Sequence, residues 1–199
     1  MPFVFKRLAL FLSIAGAFGA DKDRAFHVGP AEGYPNRQTQ AGVTVAADSY
    51  EAEDKARDAF GKLNPYQHGI LPVLVVMQNN GSKAIRLEHL KVDYVGPKRD
   101  HVEATPARDV RYLNGPRRPD VVTGPTGAPK IGKHKNPLDA WEIEGRAFAA
   151  KMLPPGQSAS GFFYFQTGLQ RGSTLYVTGL TEADTGKELF YFEVPLLQQ

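Results

Sequence analysis

Cysteine is absent from all 199 residues, which excludes a disulfide scaffold, a thiol nucleophile, a zinc ribbon and an iron–sulfur cluster. Carboxylates are absent from the first 20 residues, whose only charged side chains are Lys6 and Arg7. Long apolar runs are also lacking. The stretch from Leu8 to Phe18 covers 11 positions, well short of the ~20 residues that span a bilayer as a helix. Nor does one sign of charge dominate: 24 Lys and Arg against 21 Asp and Glu leave a formal charge of +3. With 42% hydrophobic and 23% charged residues, the composition speaks against wholesale disorder and against a multi-spanning membrane protein. What is plentiful is turn chemistry. The 20 Gly and 15 Pro make up about 18% of the chain, against about 12% in an average protein, which suits a β-rich fold.

The N-terminus has a basic segment ending in Lys6-Arg7, an apolar core and a small-residue exit at Ala17, Gly19 and Ala20. That order predicts a secretory signal peptide over residues 1–20, with the mature chain beginning near Asp21. With no cysteine there is no lipobox thioether, so the expected product is secreted or periplasmic, soluble, and without a membrane-spanning segment after cleavage. Removing Lys6 and Arg7 lowers the formal charge from +3 to +1.

Residues 21–40 are polar and broken by Gly29, Pro30, Gly33 and Pro35, and read as an extended arm. The domain proper is expected over 41–199. Gly42 to Ala47 alternates as a first strand. Asp48, three residues before Glu51, suggests a capping box opening a helix from Ser49 to Phe60, closed by Gly61. Ile70 to Gln78 is apolar at nearly every position, the pattern of a central strand covered on both faces. Pro72 confines its own position to the start of the paired region or to an edge. Asn79-Asn80-Gly81-Ser82 predicts a tight hairpin, although Asn80-Gly81-Ser82 is also a glycosylation acceptor on a eukaryotic secretory route. In Ala84 to Val95 the apolar phase shifts, which requires a bulge near Glu88 and His89. A short strand at His101 to Ala104, a brief helix from Thr105 to Tyr112, and a second helix from Leu138 to Ala150, weak at Gly145, follow. Gly161 to Thr167, Thr174 to Leu180 and Glu188 to Val194 complete about seven strands separated by turn signals, the signature of a β-sandwich.

Several patterns fall short of known chemistry. Gly127 to His134 approaches a phosphate-binding loop, but His134 stands where Ser or Thr must hold magnesium. Gly156-Gln157-Ser158-Ala159-Ser160-Gly161 misses the spacing of a nucleophile elbow and has no helix after it. The five histidines never approach metal-ligand spacing. Glu51, Glu53, Asp54 and Asp58 alternate with Lys55 and Arg57, as on a solvated helix face. No catalytic residue, metal or cofactor is therefore predicted.

Two regions are predicted to make contacts. Residues 114–137 form a long Gly/Pro-rich loop in which Arg117, Arg118, Lys130, Lys133 and Lys135 face only Asp120, a net +4. Such a loop suits an anionic envelope surface. It has no aromatic rings to stack bases, so nucleic acid is not an expected partner. The second region is aromatic. Phe163 and Phe165 point to one face of their strand while Phe162 and Tyr164 point to the other, and Phe190-Tyr191-Phe192 repeats the pattern. Since a sandwich strand normally buries one face, helices, the loop or another protein must cover the rest. Trp141 is a candidate lid, and Phe163, Phe165 and Tyr191 are the candidate partner-binding residues.

Gly42 to Ala47, Ala59-Phe60-Gly61-Lys62, Gly69 to Val73 leading to Gln78-Asn79, and Leu153-Pro154-Pro155-Gly156 before Gly161 to Phe165 together resemble uncharacterised secreted bacterial proteins with an immunoglobulin-like β-sandwich. The resemblance covers about residues 41–195 and implies a fold and a compartment, with no catalytic residue to carry over. The resulting expectation is a non-enzymatic interaction or accessory module of the cell envelope whose partner is another envelope protein or an anionic envelope surface. The alternative is a small-ligand binder or hydrolase with its site between the 114–137 loop and the sandwich.

Overall fold

The computed structural model describes residues 26–113, 121–123, 129–131 and 136–197, with backbone alone at 121–123 and 129–131. The expected leader lies outside these residues. The chain is mainly β. Eleven strands form three antiparallel sheets, a separate hairpin adds two more, and three short α-helices complete the described elements.

The first sheet has the order β1-β2-β3-β10, with β1 Arg37–Gln40, β2 Val43–Ser49, β3 Leu71–Asn79 and β10 Ser158–Phe165. The second has the order β13-β11-β5-β6, with β5 Lys91–Val95, β6 His101–Glu103, β11 Thr174–Thr178 and β13 Phe192–Pro195. A third, three-stranded sheet joins β4 Ile85–Arg86, β9 Met152–Leu153 and β12 Thr181–Glu182 in the order β12-β4-β9. The hairpin pairs β7 Val121–Thr123 with β8 Pro129–Ile131.

Strand β3 lies between β2 and β10, and its alternate residues enter two different cores. Leu71, Val73, Val75 and Met77 meet Val92, Tyr94, Leu175, Val177, Phe192 and Val194 of the second sheet. Leu74 and Val76 pack on the opposite side, against Phe60 of α1 Glu53–Phe60, Val110 of α2 Ala107–Val110 and Ile143 of α3 Trp141–Gly145. The result is three layers: helices, first sheet, second sheet. Burial on both faces explains why residues 70–78 carry no polar alternation. Pro72 sits next to the start of β3, one residue before the β2 pairing ends at Val73, where its missing amide leaves no gap in the ladder.

Neither outer edge of the first sheet is left bare. At β1, the Glu193 amide donates to Gln38 Oε1 at 2.6 Å. At β10, Phe162 donates to the Arg146 carbonyl at 2.8 Å and accepts from Phe148, while Thr105 donates to the Tyr164 carbonyl at 2.7 Å. Covered edges of this kind oppose strand-to-strand aggregation.

Several local expectations are corrected. Residues 37–40, expected within the arm, pair with β2, and Ala31, Phe26 and Tyr34 pack on the helical side of the first sheet. Asp48 does not cap a helix. It remains in β2 opposite Leu74, its carboxylate accepts from Lys55 at 2.7 Å, and α1 begins at Glu53 with no side-chain cap. Asn79 to Ser82 does not join paired strands, because β3 and β4 belong to different sheets. The phase shift expected as a bulge is a break between β4 and β5, where the chain changes sheets, a common way to turn a sandwich corner. The second helix is confined to Trp141–Gly145. Trp141 is no lid, being 71% exposed.

Candidate functional site

The two crossings that seal the β10 edge also define a cleft. After β6 the chain leaves the second sheet at Ala104 and reaches β10 through Thr105, while Ala147-Phe148 runs alongside Phe162 further down the same edge. Gly161 permits the second crossing, since a Cβ there would collide with the Phe148 backbone. Between the crossings lies a cleft of about 390 Å³, at the small end of ligand-sized pockets. Leu90, Val92, Ala104 and the Phe148–Phe163 pair, stacked at 5.4 Å between centroids, supply its apolar lining. Asp93, Glu103, Lys91 and Thr105 supply the polar part.

Asp93 and Glu103 are directly opposite each other on β5 and β6, an arrangement in which like charges repel. The same row continues across the second sheet, since Asp93 faces Tyr176 and Tyr176 faces Glu193. Val92, Tyr94, Leu175 and Val177 point inward, so by strand alternation this row occupies the outer face. Tyr176 is also the centre of an aromatic ladder: its ring lies 4.9 Å from Tyr191 and 6.4 Å, edge-on, from His101. Tyr191 is 49% exposed and its neighbour Phe190 74%. Among the described residues none of Asp93, Glu103 and Glu193 makes an ion pair.

A second recess, of about 610 Å³, separates the end of α1 from α3. Lys62, His68, Asp139, Trp141 and Glu142 line it, and Arg111 bridges Asp139 at 3.0 Å and Glu144 beside it.

The predicted contact residues separate into three groups. Phe163 lines the cleft and Tyr191 lies on the outer face of the second sheet, so they belong to neighbouring surfaces and do not touch. Phe165 is wholly buried at 0% exposure between the sheets and leaves the contact set. The alternation along β10 is as expected, but both of its faces are covered: Phe162 and Tyr164 lie under the helices. Arg117, Arg118, Lys133 and Lys135 fall outside the described residues, as does the side chain of Lys130, whose backbone lies in β8. Phe148, Tyr176, Asp93 and Glu103 escape a sequence reading. Only the cross-strand register brings them together, and periodicity within one strand carries no trace of it.

Among the described residues, no three His, Asp or Glu side chains gather as a metal site, and no helix is long and apolar enough to cross a membrane. No protein-family model matches the chain, and no curated protein matches it.

Proposed function

We propose that this protein is a secreted or periplasmic, non-enzymatic interaction or accessory module of the cell envelope, built on an immunoglobulin-like β-sandwich. Strand order supports the fold reading. The orders β2-β3-β10 and β13-β11-β5-β6 within the two main sheets are compatible with an A-B-E and G-F-C-C′ lettering, which favours that family's topology. The expected leader and the resemblance to secreted bacterial proteins support the compartment.

The observation that carries the contact reading is the aromatic ladder of His101, Tyr176 and Tyr191, which shares a face with Asp93 and Glu103 at the rim of the Phe163 cleft. A folded domain spends aromatic rings in its core. Rings left partly exposed on a sheet face suit a partner surface, here that of another envelope protein. A photo-crosslinking residue at position 191 tests the reading: it should capture a discrete partner in the native envelope, and Tyr176→Asp should abolish capture. Alanine at Ser158, Ser160 and each histidine other than His101 should leave capture unchanged.

A small-ligand reading draws its support from the second recess. One wall begins at Asn136 and Pro137, the last two residues of the 114–137 loop, and continues through Asp139, the exposed Trp141 and Glu142, with His68 on the other side. Under that reading Trp141→Ala, and not Tyr176→Asp, removes function.

A further inference from the structure

The chemistry of the cleft and of the face beyond it narrows the kind of partner. Resting on the contact reading above, we infer that the site takes an extended basic segment of a partner protein, one apolar side chain entering the cleft and two Lys or Arg residues, about three positions apart, meeting the carboxylates.

Three observations lead there. The first is the cleft itself, whose floor is the stacked Phe148–Phe163 pair with Leu90 and Val92. An apolar side chain placed there removes that surface from water, the principal favourable term in association. The second is the charge at its rim. Asp93 and Glu103 oppose one another with no cation paired to either among the described residues, although Lys91 lies two positions from Asp93 on the same strand face. A cation brought by a partner relieves that repulsion. A partner anion adds to it, so the site discriminates by sign.

The third is reach. The row Glu103–Asp93–Tyr176–Glu193 crosses four strands, which at about 4.8 Å per step is roughly 14 Å. A free amine cannot span this, whereas an extended chain at about 3.4 Å per residue does so in about four residues. Asp93 and Glu193 are two steps apart, roughly 10 Å or three extended residues. Between them in the row stands Tyr176, an aromatic ring of the kind that attracts a guanidinium or ammonium group.

Titration of the isotopically labelled full chain with short synthetic peptides tests this by amide chemical shifts. The probe is acetyl-Leu-Lys-Ala-Ala-Lys-amide. The controls are the same peptide with both lysines replaced by glutamate, and with leucine replaced by alanine. The lysine peptide should give saturable shifts at Glu103, Thr105, Phe148 and Phe163, and the glutamate peptide none. Leucine removal should weaken binding, and the Asp93→Asn/Glu103→Gln double variant should weaken it about fivefold, as expected when the cation between these opposed carboxylates loses a partly exposed ion pair. Absence of saturable shifts, equal binding of the glutamate peptide, or shifts confined to other surfaces would overturn the inference. The double variant also separates this inference from the reading beneath it. If crosslinking at position 191 persists at full yield in Asp93→Asn/Glu103→Gln, the contact module stands and its basic partner segment does not. If position 191 captures nothing in the parent chain, the contact reading itself fails.

Discussion

At the scale of single residues, Gly161 and Tyr164 show how β10 serves two cores and the cleft at once. The bare α-carbon of Gly161 lets the Phe148 backbone lie against the strand, so Gly161→Ala must push residues 146–148 outward. We expect a loss of about 1–3 kcal/mol, the usual cost of overpacking, together with loss of the Phe148 side of the cleft. Chemical denaturation, and the aromatic shifts of Phe148 and Phe163, would measure both effects. Tyr164 donates its hydroxyl to the Ile143 carbonyl at 2.7 Å in a buried setting, and burial raises its ionisation well above the ordinary tyrosine range. The folded state therefore holds this proton more tightly than the unfolded chain. Its stabilising contribution is complete below pH ~10 and is progressively lost as pH rises beyond that. Tyr164→Phe should cost about 1–2 kcal/mol at neutral pH. It should also make thermal stability fall less steeply above pH ~10, where Tyr50, likewise raised by burial, still contributes. The sequence revealed the two-faced alternation of residues 162–165. It did not reveal that Phe163 and Phe165 face the second sheet, because which side of a strand meets which layer is decided by chain crossings remote from it.

At the scale of elements, breaks in pattern are readable while their meaning is not. The shift of apolar phase between Ile85 and Val92 is visible in the sequence, yet a bulge and a change of sheet produce the same shift. The Asn79 tract, predicted as a hairpin turn, instead leads from one sheet to another, and its chemistry joins three segments. Asn79 is 1% exposed, its amide nitrogen donates to the Lys83 and Leu153 carbonyls, and its Oδ1 accepts from Gly81. Asn79→Ala strands a buried carbonyl and frees the corner between the first and third sheets. A loss of about 1–3 kcal/mol is expected, with faster hydrogen exchange at Gly81 and Gly156, whose amides bond to this residue. Asp48 teaches the converse lesson. Its spacing from Glu51 fits a capping box, but pairing of β2 with β3 extends to Ser49 and holds Asp48 in extended backbone, so local preference yields to the ladder.

At the scale of the whole molecule, composition and turn spacing were sufficient to read a mainly β chain. The three-layer arrangement was not readable, because it depends on β10 pairing with a strand about 85 residues earlier in the chain, with Ser158 opposite Gln78, and on helices that are too short to announce themselves. The contact surface is less legible still. Its members come from β5, β6, β10, β11 and the approach to β13, and only Phe163 and Tyr191 stand out in the sequence as aromatics in strand-like runs. What unites them is an aromatic and acidic face on which Tyr191 and Phe190 stay exposed. The most direct test of that account is photo-crosslinking from position 191 in the native envelope, with and without Tyr176→Asp. The account predicts a discrete crosslinked partner that disappears in the variant. No crosslinked species, or one whose yield is indifferent to Tyr176→Asp, would contradict it.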